Sequence, residues 1–128
     1  MILLLRRGRP DNILVTASYD KCVLCDFGSA FASDDPDAAE VTPYLVSRFY
    51  RAPEIALGLR YGPPIDVWSA ACTVAEMYTG DVLFSGHGGT SNNDLLRSHM
   101  ETKGRFPNRM IKRHVHQYTP VDRVYSFA

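Results

Sequence analysis

The segment running from Pro63 to Gly80 constrains this chain more than any other, because it joins a helix start, a helix stop and apolar residues on every side. Pro63-Pro64 suits the first helical turn, where the missing N–H has no intrahelical acceptor to lose, and Thr79-Gly80 supplies the stop. Between them Ile65, Val67, Trp68, Ala70, Ala71, Cys72, Val74, Ala75, Met77 and Tyr78 cover almost every direction around the axis. A helix apolar all round has to be enclosed by other elements on most sides. The sequence therefore predicts a central buried helix. With 128 residues, 45% hydrophobic and 22% charged, the chain has an ordinary globular composition, which excludes a collagen, a disordered chain and a disulfide scaffold.

Ile13 to Val15 and Cys22 to Cys25 are short apolar runs separated by a polar connector of hairpin length, and they read as two antiparallel strands. From Gly28 to Arg51 no period is sustained, prolines stand at 36 and 43, and Asp34, Asp35, Asp37 and Glu40 form an acidic cluster. This predicts a long loop of the kind that carries function. After the Gly86-His87-Gly88-Gly89 turn, a second helix is expected from about Asn92 to Lys103, capped by Ser or Asn before it and Gly104 after it. Leu95, Leu96, His99 and Met100 form its apolar stripe, with His99 read as a packed or surface residue. The overall class is α+β, mainly helical.

Fourteen Lys and Arg balance fourteen Asp and Glu, so no overall field draws the molecule to nucleic acid or to an acidic membrane. Locally, Arg97, Lys103, Arg105, Arg109, Lys112 and Arg113 make a basic tail that could meet phosphate or an acidic partner; a solvated face is the plainer reading. Cys22, Cys25 and Cys72 are too few and odd in number for a disulfide framework, and their apolar neighbours suit buried thiols rather than zinc ligands. Met1-Ile2-Leu3-Leu4-Leu5 is too short for a signal h-region or a membrane span, which predicts a cytosolic or nuclear protein.

Asn12 immediately precedes the first strand and Asp26 follows the second, so closing the hairpin brings an amide and a carboxylate to its open end. Such oxygen donors, completed by water and phosphate, suit Mg²⁺ arriving with a nucleotide; turn formation is the plainer alternative. Asp26-Phe27-Gly28, Ala52-Pro53-Glu54 and Asp66-Val67-Trp68-Ser69, following Pro10-Asp11-Asn12 in one frame, resemble the protein-kinase motif series. Tyr50-Arg51 before Ala-Pro-Glu is similar to the group holding cyclin-dependent and mitogen-activated kinases. Thr42-Pro43-Tyr44 looks like an activation loop regulated by tyrosine. The stretches from Thr90 to Leu96 and from Lys103 to Ile111 are similar to the pre-mRNA-processing kinases of the spliceosome.

The resemblance implies a large-lobe fragment of a Ser/Thr kinase domain over residues 10–128, with an atypical segment at residues 1–9. It implies Asp26 and Asn12 as ligands of Mg²⁺ carried by ATP, Tyr44 as regulatory phosphosite, and Arg48 and Arg51 as partners of its phosphate. Ser47 would bond the catalytic aspartate, Pro53 and Glu54 would anchor the end of the loop, and Asp66 would accept catalytic-loop N–H groups while complementing its helix dipole. Nuclear localisation and splicing-factor substrates are implied too, with neither a membrane nor direct nucleic-acid binding expected. Two departures stand out. Arg7 occupies the position of the catalytic base, five residues before Asn12, with Leu5 where the family has histidine and Arg9 where it has lysine. A guanidinium accepts no proton at physiological pH, so no catalytic residue is assigned. The other alignment places Leu3 to Arg7 at the end of a helix, with the catalytic segment deleted. No glycine-rich loop or strand lysine is found either, so the expectation is a chain inactive by itself, with a half-uncovered central helix. A non-catalytic binding module and a chain that does not fold alone are the other readings.

Overall fold

The computed structural model describes residues 3–4, 9–32, 47–88 and 90–118. Two small antiparallel sheets lie on the N-terminal side. β1 (Leu3–Leu4) pairs with β4 (Phe31–Ala32), and between them in sequence β2 (Ile13–Val15) pairs with β3 (Cys22–Leu24) in the register Ile13↔Leu24, Leu14↔Val23 and Val15↔Cys22. The extended pairing of Leu3–Leu4 replaces the helical alternative for this segment. It also converts part of the expected loop, Phe31–Ala32, into strand. A second part of that loop, Arg48–Tyr50, is a 3₁₀ turn.

The hairpin connector is closed by its own polar groups. Thr16 N–H reaches the Lys21 carbonyl at 3.1 Å, and the Asp20 carboxylate accepts from Thr16 Oγ1 at 2.7 Å and from Ser18 Oγ. Those hydroxyl bonds hold the Asp20 carboxyl below its usual range.

The C-terminal side is helical: α1 (Pro53–Ala56), α2 (Pro64–Thr79), α3 (Asn92–Lys103) and α4 (Asn108–Tyr118). α2 stops where Gly80 turns left-handed at φ 81°, and its N–H returns to the Glu76 carbonyl at 2.8 Å. α3 opens on a capping box, with Asp94 N–H bonded to Ser91 Oγ at 3.1 Å and Ser91 N–H to the Asp94 carboxylate at 3.0 Å. α4, built on Met110, Ile111, His114, Val115 and Tyr118, has no counterpart in the sequence reading.

The core gathers Tyr50, Ala52, Ile55, Ala56, Ile65, Cys72, Phe84 and Leu95, with Trp68 packed against it. Trp68 stacks on Phe84 at 5.4 Å between centroids, and His99 meets both edge-on. α2 is enclosed on one face only. Ile65, Ser69, Cys72 and Thr73 are buried, whereas Val67, Val74, Met77 and Tyr78 are 64–91% exposed, because no described element covers that side. The all-round burial expected from its apolar residues is thus corrected, and the half-uncovered central helix that the kinase resemblance implied is what the described residues show. The thiols are corrected likewise: Cys72 is buried, Cys25 half-buried and Cys22 exposed, since β3 turns no face to the core. On α3, Leu95 and His99 are fully buried, Met100 is exposed, and Ser98 is buried in its place.

Candidate functional site

A 3₁₀ turn at Pro10–Asn12 sets Asn12 at the mouth of the hairpin, where it is 6% exposed and its carbonyl accepts the Cys25 N–H at 2.9 Å. That bond extends the β2–β3 ladder by one pair and leaves Asp26 one residue past the partner of Asn12. Asp26 is exposed and left-handed, at φ 61°, a conformation that costs a residue with a Cβ roughly 1 kcal/mol or more. Strain of this kind persists where the surrounding chain over-determines it. Gly28 lies just beyond, and a Cβ there would stand 3.4 Å from the Asp26 carboxylate. An amide and a carboxylate at adjacent rungs form a hard oxygen donor set that fits Mg²⁺ brought in by a phosphate ligand. Among the described residues no group of three or more His, Cys, Asp or Glu could hold a metal independently.

The second part of the site is the segment from Ser47 to Glu54. Ser47 is half-buried and its carbonyl accepts the Tyr50 N–H at 3.0 Å. Tyr50 is clamped onto α2 twice: Ser69 Oγ donates to its carbonyl at 2.8 Å, and its hydroxyl donates to Glu76 Oε2 at 2.5 Å. Burial, then the Glu76 bond and charge, raise the Tyr50 phenol above its usual range, so it remains a donor. Arg51 is 5% exposed and its Nη1 donates to Asn92 Oδ1 at 2.8 Å, while Arg48 Nη2 donates to the Ser91 carbonyl at 3.3 Å. Both arginines therefore reach the first turn of α3. Glu54 is half-buried in the first turn of α1 and Asp66 half-buried in the first turn of α2. Arg9 lies 3.6 Å from Asp11, a partly exposed pair worth little. Arg7 and Tyr44 lie outside the described residues.

A family model described as "Protein kinase domain" matches residues 8–122. The chain belongs to the protein kinase family. It is 51% identical over 105 residues to serine/threonine-protein kinase prp4 of Schizosaccharomyces pombe, covering 82% of this chain and 21% of that protein. Serine/threonine-protein kinase prpf4B of Dictyostelium discoideum is 49% identical over 105 residues, with 82% and 12% covered. A glycogen synthase kinase-3 homologue, YGK3 of Saccharomyces cerevisiae, is 43% identical over 105 residues, with 81% and 27% covered. The chain thus spans about a fifth or less of the length of the first two kinases. Family membership bears out the resemblance drawn from the motifs, and the fold described is that of a kinase-domain fragment.

Sequence reasoning missed the anchors of this kinase segment. Asn92 and Ser91 were legible as helix caps, yet their grip on Arg51 and Arg48 links residues more than forty positions apart. Ser69 was legible as the last residue of the Asp66-Val67-Trp68-Ser69 motif, but not as the hydroxyl that ties α2 to Tyr50. Cys72, pushed up to about 11 by burial, stays a thiol at neutral pH and packs as a hydrophobe.

Proposed function

We propose that this chain carries the metal-binding and segment-positioning part of a Ser/Thr protein kinase of the pre-mRNA-processing type. The observation that carries this reading is the hairpin mouth, where Asn12 and a strained, exposed Asp26 stand one rung apart. Asn12 and Asp26 would hold Mg²⁺, which when bound neutralises phosphate charge on ATP. Around them, the chain's own residues keep the segment that receives the substrate in place. Ser69 and Glu76 fix Tyr50, Asn92 and Ser91 hold Arg51 and Arg48, and Ser47, Glu54 and Asp66 sit at the bends of the path. Phosphate on Tyr44 would find its cationic partners in Arg48 and Arg51. The names of the prp4 relatives and the Thr90 to Ile111 match favour splicing factors as substrates and a nuclear location. Among the described residues no helix is long and apolar enough to cross a membrane.

Phosphoryl transfer also needs a group to take the substrate proton, and Arg7 in that position accepts none. On this reading the 128-residue chain transfers no phosphate by itself, and any Mg-ATP it takes is held through Asn12 and Asp26 alone, without a glycine-rich loop or strand lysine. Thermal unfolding with increasing Mg-ATP tests this: the midpoint rises for the parent chain and is unmoved for Asp26→Ala. A rise that survives Asp26→Ala places the nucleotide elsewhere, and no rise in either sinks the metal site, leaving the non-catalytic module as the better reading. Radiolabel transfer to a basic protein substrate would refute the assigned lack of activity.

A further inference from the structure

α4 is tied to the end of α1 at two points. His114 Nδ1–H donates to the Leu57 carbonyl at 2.7 Å, and the Tyr118 ring lies so close to Gly58 (φ 68°) that a Cβ there would overlap its hydroxyl. Docked this way, the helix turns Arg109, Lys112, Arg113 and His116 toward Arg60, and together they rim a groove of about 1020 Å³. Leu59, Pro107 and Met110 form its apolar lining, and Glu54 is its single carboxylate. No ion pair among the described residues engages any of these basic groups. Three residues of the basic tail, Arg109, Lys112 and Arg113, are thus folded into a concave face rather than a plainly solvated one.

We propose that this groove docks an acidic, partly apolar peptide segment of another protein. Charge complementarity selects the partner's sign: a concentration of cations around an apolar floor focuses positive potential locally in a chain of zero net charge. The lining selects peptide over nucleic acid. Among the described residues no Phe, Tyr or Trp lines the groove for bases to stack on, the floor is apolar, and Glu54 can accept a peptide N–H, a donor that a phosphate backbone does not offer. Glutamates at the rim and a leucine over Met110 satisfy all three features at once. The inference is independent of the metal site and stands whether or not Mg-ATP binds.

Fluorescence anisotropy of the 128-residue chain with a labelled peptide alternating Glu with Leu and Ala is the test. Comparators are the same peptide with every Glu replaced by Gln, and a labelled oligouridylate. The Glu peptide is expected to bind, the Gln peptide to bind at least about tenfold more weakly, and added salt to weaken the complex. The double variant Arg109→Glu, Lys112→Glu lowers affinity about tenfold, and Lys103→Glu with Arg105→Glu, the same charge change outside the groove, leaves it unaltered. Because these side chains are exposed, circular dichroism should show unchanged helicity; the neutral pair Arg109→Gln, Lys112→Gln repeats the measurement should reversal unfold α4. Absence of peptide binding, equal affinity for the Gln peptide, tighter binding of oligouridylate, or indifference to both groove variants would each overturn the proposal.

Discussion

Ser69 shows how a single hydroxyl decides a placement that its neighbours leave open. It is 1% exposed, sits on a helix that reads as apolar throughout, and its oxygen lies 2.8 Å from the Tyr50 carbonyl and 3.0 Å from that of Ile65. Ser69→Ala leaves a buried carbonyl without its donor and is expected to cost about 1–2 kcal/mol in urea unfolding, with an unchanged denaturant slope. Ser69→Cys, which keeps a weak donor, should recover part of the loss. An unaltered midpoint in Ser69→Ala would show that the contact contributes nothing net. At this scale the candidate metal residues were legible, because Asn12 and Asp26 flank two short apolar runs whose pairing follows from hairpin length. What was not legible was the left-handed backbone of Asp26, since nothing local demands φ 61° of an aspartate.

Among the elements, α3 buries a histidine whose titration falls in the acid range. His99 is fully buried against Trp68, Phe84 and Phe106, and neither ring nitrogen meets a protein hydrogen-bond partner. Burial pushes the imidazole down to about 4 from an ordinary 6.5. The sign follows from proton counting. Between pH 6.5 and 4 the unfolded chain holds a proton on His99 that the folded chain does not, so this contribution is full above 6.5 and is lost as pH falls through that window. The slope it adds is at most about 1.4 kcal/mol per pH unit. Urea midpoints for parent and His99→Leu across this range check it, the variant having the flatter profile; parallel profiles would remove His99 from the pH response. The boundaries of α3 were readable from Ser91 and Gly104, whereas the aromatic cage is a meeting of three separate segments. α4 escaped reading because its basic residues masked an apolar stripe of only Met110, Ile111, His114, Val115 and Tyr118.

For the whole molecule the half-covered α2 is the dominant fact. Val67, Val74, Met77 and Tyr78 recur along one side at 71%, 64%, 73% and 91% exposure, and a contiguous apolar stripe of that kind promotes association. Sedimentation velocity is expected to show self-association of the 128-residue chain that increases with concentration, and Val74→Lys with Met77→Lys should suppress it. As exposed helical positions these two changes should alter stability by no more than about 0.5 kcal/mol each. A chain that stays monomeric at high concentration would count against the stripe as the adhesive surface. By itself the sequence determined the family, since the order of Asp-Phe-Gly, Ala-Pro-Glu and Asp-x-Trp-Ser is local information, and it determined the caps and extents of α2 and α3, since stop and start signals act within one turn. Only the tertiary structure decided which face of α2 is covered, which carbonyl Ser69 reaches, where Arg51 finds Asn92, and that scattered basic residues rim one groove. Each of those depends on segments far apart in sequence being brought within about 3–5 Å, a distance over which periodicity and spacing carry no information.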